Sequence, residues 1–177
     1  TVQLDANGMA SIMAADVDGG SSDNCSITRT LDINSFDCSN IGTNSVTLTV
    51  TDPAGNSDAC TATVTIEDNI APMAICQDIT VQLDANGMAS FVAADVDGGS
   101  SDNCGISSLT IDNGSFDCST VGGNTVTLTV TDFSGNSSTC TANVTVEDNT
   151  APAAICQDIT VQLEANGKAT ITAADVD

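Results

Sequence analysis

The feature that most constrains this chain is repetition. The octapeptide TVQLDANG begins at Thr1 and again at Thr80, and TVQLEANG begins at Thr160. A period of 79 to 80 residues is the size of a small domain, whereas a solenoid turn would repeat every ~20–50 residues. The sequence therefore reads as two tandem units and the start of a third: 1–70, 71–150 and 151–177. The segments EDNIAP (67–72) and EDNTAP (147–152) read as linkers, and the whole as a window on a longer array.

Hydrophobic residues alternate within each unit. In NTVTLTVTD, Val126, Leu128 and Val130 share one face and threonines the other, the period-2 pattern of a half-buried strand. ITVQLD (79–84), MASFVAADVD (88–97), GISSLTID (105–112), SFDCS (115–119) and STCTANVTVED (138–148) complete a set of short strands punctuated by turns. No helical period competes with them. The fold class expected is all-β, with tandem Ig-like β-sandwiches in an elongated array. Along the second strand, Phe91 corresponds to Ile12 and Ile171, whereas Met88 corresponds to Lys168 and Val92 to Thr172. Phe91 is thus expected inward and Met88 and Val92 outward, with Ala93, Asp95 and Asp97 continuing the inward parity.

Charge narrows the function. The net charge is −22, from 24 acids against only Arg29 and Lys168. Nucleic acid is excluded as a partner, because phosphate binding needs clustered Lys and Arg. An anionic membrane surface is excluded likewise, and no stretch approaches the ~20 apolar residues of a membrane span. Histidine, tyrosine and tryptophan are absent, so Ser-His and Cys-His nucleophile pairs cannot form, and no enzymatic activity is expected. Cations are what such a chain attracts.

The acidic residues are grouped. DVDGGSSDN supplies Asp95, Asp97, Asp102 and Asn103, the linker Glu67, Asp68 and Asn69, and the turn before the last strand Asp132. If the first strand of a unit runs down and the second up, all three segments meet where one unit joins the next. Ca2+ takes six to eight hard oxygen ligands of these types, often on Gly-bearing loops, and a divalent ion would offset their mutual repulsion. The equivalent residues elsewhere are Asp16, Asp18, Asp23, Asp52, Glu147, Asp148, Asp175 and Asp177. Asp, Asn, Gly and Ser also make good turns, so a solvated turn stands as the alternative.

Eight cysteines recur four to a unit with no histidine, which reads as disulfides in an oxidising, extracellular compartment rather than zinc sites. Cys25–Cys38 and Cys104–Cys118 each flank one hairpin and are expected partners. Cys76–Cys140 would join neighbouring strands, leaving Cys60 and Cys156 to pair outside the window. A rival scheme, Cys60–Cys76 with Cys140–Cys156, crosses the linkers. It is disfavoured because Cys60 stands about 23 Å up its strand from Glu67 at ~3.3 Å per residue.

The string TDPAGNSDACTATVTIEDNIAPMAICQDITVQL, with the later DNCG, resembles the hyalin repeat (HYR) family over essentially the whole chain. The carriers are the TD-x-x-GN turn, the Cys after it, the DN-x-AP junction with its following Cys, and the DNC motif. Gln77 and Gln157 stand where family members commonly have Pro. The resemblance is to the variant strung along giant surface adhesins of Bacteroidota, the gliding adhesins included. It implies an Ig-like fold, type IX export to the cell surface, and a role as an adhesive stalk or filament. Neighbouring repeats, surface glycans and other cells or substrata are the implied partners. The competing function is a Ca2+-dependent glycan-binding module.

Overall fold

The computed structural model describes residues 1–176, and Asp177 lies outside the described residues. The twelve strands of the described residues form two copies of one six-stranded design, carried by the alternating segments. In the first copy, β5 (Gly42–Thr51) and β6 (Ser57–Glu67) are the long central pair, flanked by β3 (Thr28–Leu31) and β1 (Val2–Gln3). In the second, β11 (Gly122–Asp132) and β12 (Ser137–Glu147) are central, flanked by β9 (Ile106–Ile111) and β7 (Ile79–Gln82). The flanking strand that opens each repeat runs parallel to the last one, Ile79 opposite Val144 and Val2 opposite Ile66. All other pairs are antiparallel.

A small two-stranded sheet faces each four-stranded one: β2 (Met9–Ser11) with β4 (Ser35–Asp37), and β8 (Met88–Ser90) with β10 (Ser115–Asp117). The inward residues of β11 and β12, namely Val126, Leu128, Val130, Ala142, Val144 and Val146, meet Ala89, Phe116 and Leu83 in one core. The first repeat repeats the pattern with Val46, Val64 and Ile66 against Leu4, Ile12 and Phe36. Two layers burying one apolar seam define a β-sandwich, the all-β Ig-type architecture expected from the alternation.

Phe91 packs against the core and stacks on Phe116 with ring centroids 5.8 Å apart, while Met88 and Val92 are exposed. The parity argument fails beyond that point. The second strand stops at Ser90, and Ala93–Asp95 is a 3-10 turn, so Asp95 and Asp97 do not continue an inward face. The Asp95 carboxylate bends back to accept from the Val92 N–H at 2.8 Å. Asp16 does the same for Met13 in the first repeat, at 2.7 Å. An Asp that satisfies a helix-start amide stabilises the turn at the expense of the strand.

Disulfides correct the hairpin pairing. Cys38 is bonded to Cys104, 66 residues away, not to Cys25; Cys118 is not bonded to Cys104. Cys25 precedes β3 at the Thr51 end of β5, while Cys38 lies just before the Gly42 end. The length of β5 separates them, about 30 Å at ~3.3 Å per residue, and a disulfide tolerates a Cα separation of only about 4.4–6.8 Å. Cys76 is bonded to Cys140, 64 residues on, which excludes the linker-crossing scheme. Cys25, Cys60, Cys118 and Cys156 are exposed free thiols.

Candidate metal centre at the repeat junction

Three short segments meet where the first repeat hands over to the second. The linker leaves β6 and turns at Asp68, whose Oδ1 accepts from the Ile70 N–H at 3.1 Å; Pro72 beyond it is buried. The turn joining β11 to β12 is closed by Asp132, which accepts from Asn136 twice, backbone N–H to Oδ1 and side-chain Nδ2 to Oδ2, both at 2.8 Å. The loop ending in Asp102-Asn103-Cys104 is pinned by the Cys104 N–H donating to Asp102 Oδ2 at 2.8 Å.

These segments bring Asp68, Asp102 and Asp132 together, one carboxylate oxygen from each lying within 4.8 Å of the other two. Asp68 and Asp132 retain only 4% and 2% of their exposure, and neither ion-pairs: the salt bridge among the described residues is Arg29–Asp18. At an effective dielectric constant of ~20, two unit charges at that spacing repel by about 3.5 kcal/mol or more. Three buried oxygens, Asp68 Oδ2, Asp102 Oδ1 and Asn103 Oδ1, have no hydrogen-bond partner. Buried acceptors left unpaired are costly.

A hard divalent cation answers both problems. With Ca–O distances of 2.3–2.6 Å, two oxygens on one Ca2+ stand at most about 5 Å apart, and the cluster satisfies that limit. The orphan oxygens are of the right kind: two carboxylate and one amide. The residues present therefore fit Ca2+.

Other residues singled out from the sequence lie elsewhere. Glu67 accepts from Gln3 Nε2 at 2.7 Å and Asn69 donates to Gln3 Oε1 at 2.8 Å, so both face the neighbouring strand. Asp97 accepts from the Ser100 N–H and hydroxyl at 2.9 and 2.6 Å, and the hydroxyl, first of its causes, holds the carboxyl below its ordinary pKa. Asp18 is anchored by Ser21 and Arg29, and its pKa falls to about 2, the Ser21 hydroxyl being the largest cause. Asp23 and Asp52 line one cleft with Asn56 and Asp58, the counterpart of the junction on the first repeat. Asp148 caps Thr150, Glu147 accepts from Gln82, and Asp175 accepts from Thr172. Asp177 is outside the described residues.

Sequence reasoning missed Asn136. Its Nδ2 donates to the Asp68 carbonyl at 3.0 Å and lies 3.4 Å from the Ile70 carbonyl, tying the turn to the linker. Asn56 in the same D-x-x-G-N turn was the available signal.

Residues 10–66 match the HYR domain. No curated protein sequence matches. Among solved structures, the chain is similar to one titled protocadherin gammaB7 EC3-6 cis-dimer, at 18% identity and a TM-score of 0.36. That similarity covers 84% of this chain, which spans about half (48%) of the other.

Proposed function

From a chain that carries a HYR domain at residues 10–66, we propose a structural, adhesion-type repeat protein of the cell exterior, whose junctions are stiffened by Ca2+. Two disulfides fit an oxidising compartment, and no helix among the described residues is long and apolar enough to cross a membrane. The observation that carries the reading is the position of the cluster. Asp68 belongs to the linker, whereas Asp102 and Asp132 belong to the second repeat. A cation held by all three would tie the linker to the repeat it enters. Asp68, Asp102, Asp132 and the Asn103 amide oxygen would hold the ion, which supplies the positive charge that the cluster lacks. A surface stalk of the Bacteroidota adhesin type is the setting in which such stiffening matters.

The burial of Asp68 and Asp132 favours a structural ion over one bridging to a glycan, which needs an open coordination face. Melting of the 177-residue chain with Ca2+ and with chelator, beside small-angle scattering, tests the reading. An ion present at about 100 times its Kd stabilises by about 2.7 kcal/mol, a rise of roughly 5–10 °C in Tm for a chain of this size. An unchanged Tm together with an unchanged maximum dimension overturns it.

A further inference from the structure

The disulfide between Cys38 and Cys104 joins two repeats, and it lands beside the acidic cluster. Cys38 sits on the 3-10 turn Cys38–Asn40 of the first repeat, and Cys104 packs against that repeat's core. Only Asn103 separates Cys104 from Asp102. The Asn103 side chain donates to Asp68 Oδ1 at 3.2 Å and lies 3.3 Å from the Asp5 carbonyl, while its backbone carbonyl is 3.5 Å from Cys38 Sγ. Gly8, at φ +70°, makes room for this contact: a Cβ there would stand 2.6 Å from Cys38 Sγ and 2.9 Å from the Asn103 carbonyl.

From this geometry we infer that the inter-repeat disulfide and the cation site form one coupled unit, the disulfide setting divalent-cation affinity and the cation protecting the disulfide from reduction. The inference rests on the Ca2+ reading of the cluster. With the bond intact, the loop carrying Asp102 is tethered to the first repeat against the repulsion of Asp68 and Asp132, so the ligands are ordered before the ion arrives. With the bond broken, the weak hydrogen bonds of Asn103 remain, and binding must also order the loop, which weakens it about 5–30-fold for each residue fixed. Reduced protein therefore binds Ca2+ at least ten times more weakly. Linkage makes the effect reciprocal: a tenfold coupling lowers the reduction potential of Cys38–Cys104 by about 30 mV when Ca2+ is bound. The reductant is a dithiol, which closes to its own disulfide as two electrons pass to the bond and Cys38 and Cys104 each take up a proton.

Calorimetric Ca2+ titration of the full 177-residue chain tests this in three forms: native, the double variant Cys38→Ser with Cys104→Ser, and Cys76→Ser with Cys140→Ser. The last loses a disulfide that lies within the second repeat and does not join it to the first. The expected result is an affinity at least tenfold lower in the first variant and within about twofold of native in the second. Equal affinity in native and the Cys38/Cys104 variant overturns the coupling while leaving the cation reading intact. No Ca2+ binding by the native chain overturns both. Should the first variant fail to fold by circular dichroism, the native protein answers instead. Its Cys38–Cys104 reduction midpoint is read by mass-spectrometric thiol labelling with Ca2+ and with chelator, and a shift below about 10 mV overturns the coupling.

Discussion

The same sequence occupies two faces of this molecule and forms a closed site at only one of them. On the second repeat, Asp102, Asn103, Cys104, Asp132 and Asn136 face the linker; on the first, Asp23, Asn24, Cys25, Asp52 and Asn56 hold the corresponding places. Locally the two are the same. Asn56 donates to Asp52 at 2.8 and 2.7 Å, as Asn136 does to Asp132 at 2.8 Å twice, and Gly55 and Gly135 both have φ +92°. Cys25 N–H caps Asp23 at 2.9 Å, as Cys104 caps Asp102. What differs is the company. Asp23 and Asn24 are exposed and Cys25 is a free thiol, whereas the junction face is buried under Asp68 and stapled through Cys38. The acidic motif encodes the turns; the linker and the staple make the cluster.

Cores should be the least different part. Leu48 and Leu128 are both fully buried at equivalent positions of their central strands. Leu48→Ala and Leu128→Ala each remove a buried aliphatic side chain and are expected to cost 2–5 kcal/mol, within about 1 kcal/mol of one another. Urea unfolding of each variant measures this. A much larger loss for one would show that the junction, rather than a local core, limits the stability of that repeat.

Asp132→Ala and Asp52→Ala separate the faces more sharply. The first removes a carboxylate of the cluster, so the Ca2+-dependent stabilisation of about 2–3 kcal/mol disappears from the thermal melts. The second leaves that difference between Ca2+ and chelator in place. If both variants lose the response equally, the ion binds to the turn itself and the comparison collapses.

Much of the fold was legible because its signals are local. Alternation in residues 122–132 and 137–147 marks strands whose inward members, Val126 to Val146, are those the core contains. Turn chemistry at Asp132–Asn136 and the charged linker were equally readable, so Asp68, Asp102 and Asp132 could be nominated from sequence. Asp95 could not be sorted from them, because its carboxylate prefers the Val92 amide and local capping leaves no trace in strand parity. The Cys38–Cys104 bond was invisible for another reason. Spacing along the chain favours nearby partners, but β5 carries Cys25 and Cys38 to opposite ends of one repeat, and contact with the next repeat is a property of two domains docked together.

Gly8 sharpens the comparison at the staple. Gly8 and Gly87 hold the same turn position with φ of +70° and +72°, and a Cβ at either would stand 2.6 Å from a cysteine sulfur. At Gly87 that sulfur belongs to Cys118, an exposed free thiol able to rotate aside. At Gly8 it is Cys38, fixed in the disulfide, with the Asn103 carbonyl behind it. Both alanine variants bear the left-handed backbone cost of about 1–2 kcal/mol. Gly8→Ala adds an overpacking cost of about 1 kcal/mol or more. Chemical denaturation of the two variants reads the difference directly; equal losses would mean that the staple yields to the intruding methyl.

The smallest effect expected concerns pH, at Asp18 and Asp97, again equivalent residues in the two repeats. Both carboxyls are held below the ordinary Asp value by a serine hydroxyl, from Ser21 and Ser100 respectively, and Asp18 falls to about 2. A folded pKa below the unfolded one means that stabilisation is complete above the unfolded value near 4 and is lost as pH falls through the folded value. Tm in chelator should therefore decline between about pH 4 and pH 2, and Asp18→Asn should flatten part of that decline. Arg29 pairs with Asp18, while Leu109 stands at its place in the second repeat, facing Val130 as Arg29 faces Val50, so the ion pair is the obvious suspect for the lower value. The attraction of Arg29 is nevertheless the least of its causes, behind the hydrogen bonds from Ser21 and Gly20. Ser21→Ala should consequently shift the acid limb of the Tm profile more than Arg29→Ser does. The reverse order would make the charge pair, absent from the second repeat, the source of the difference.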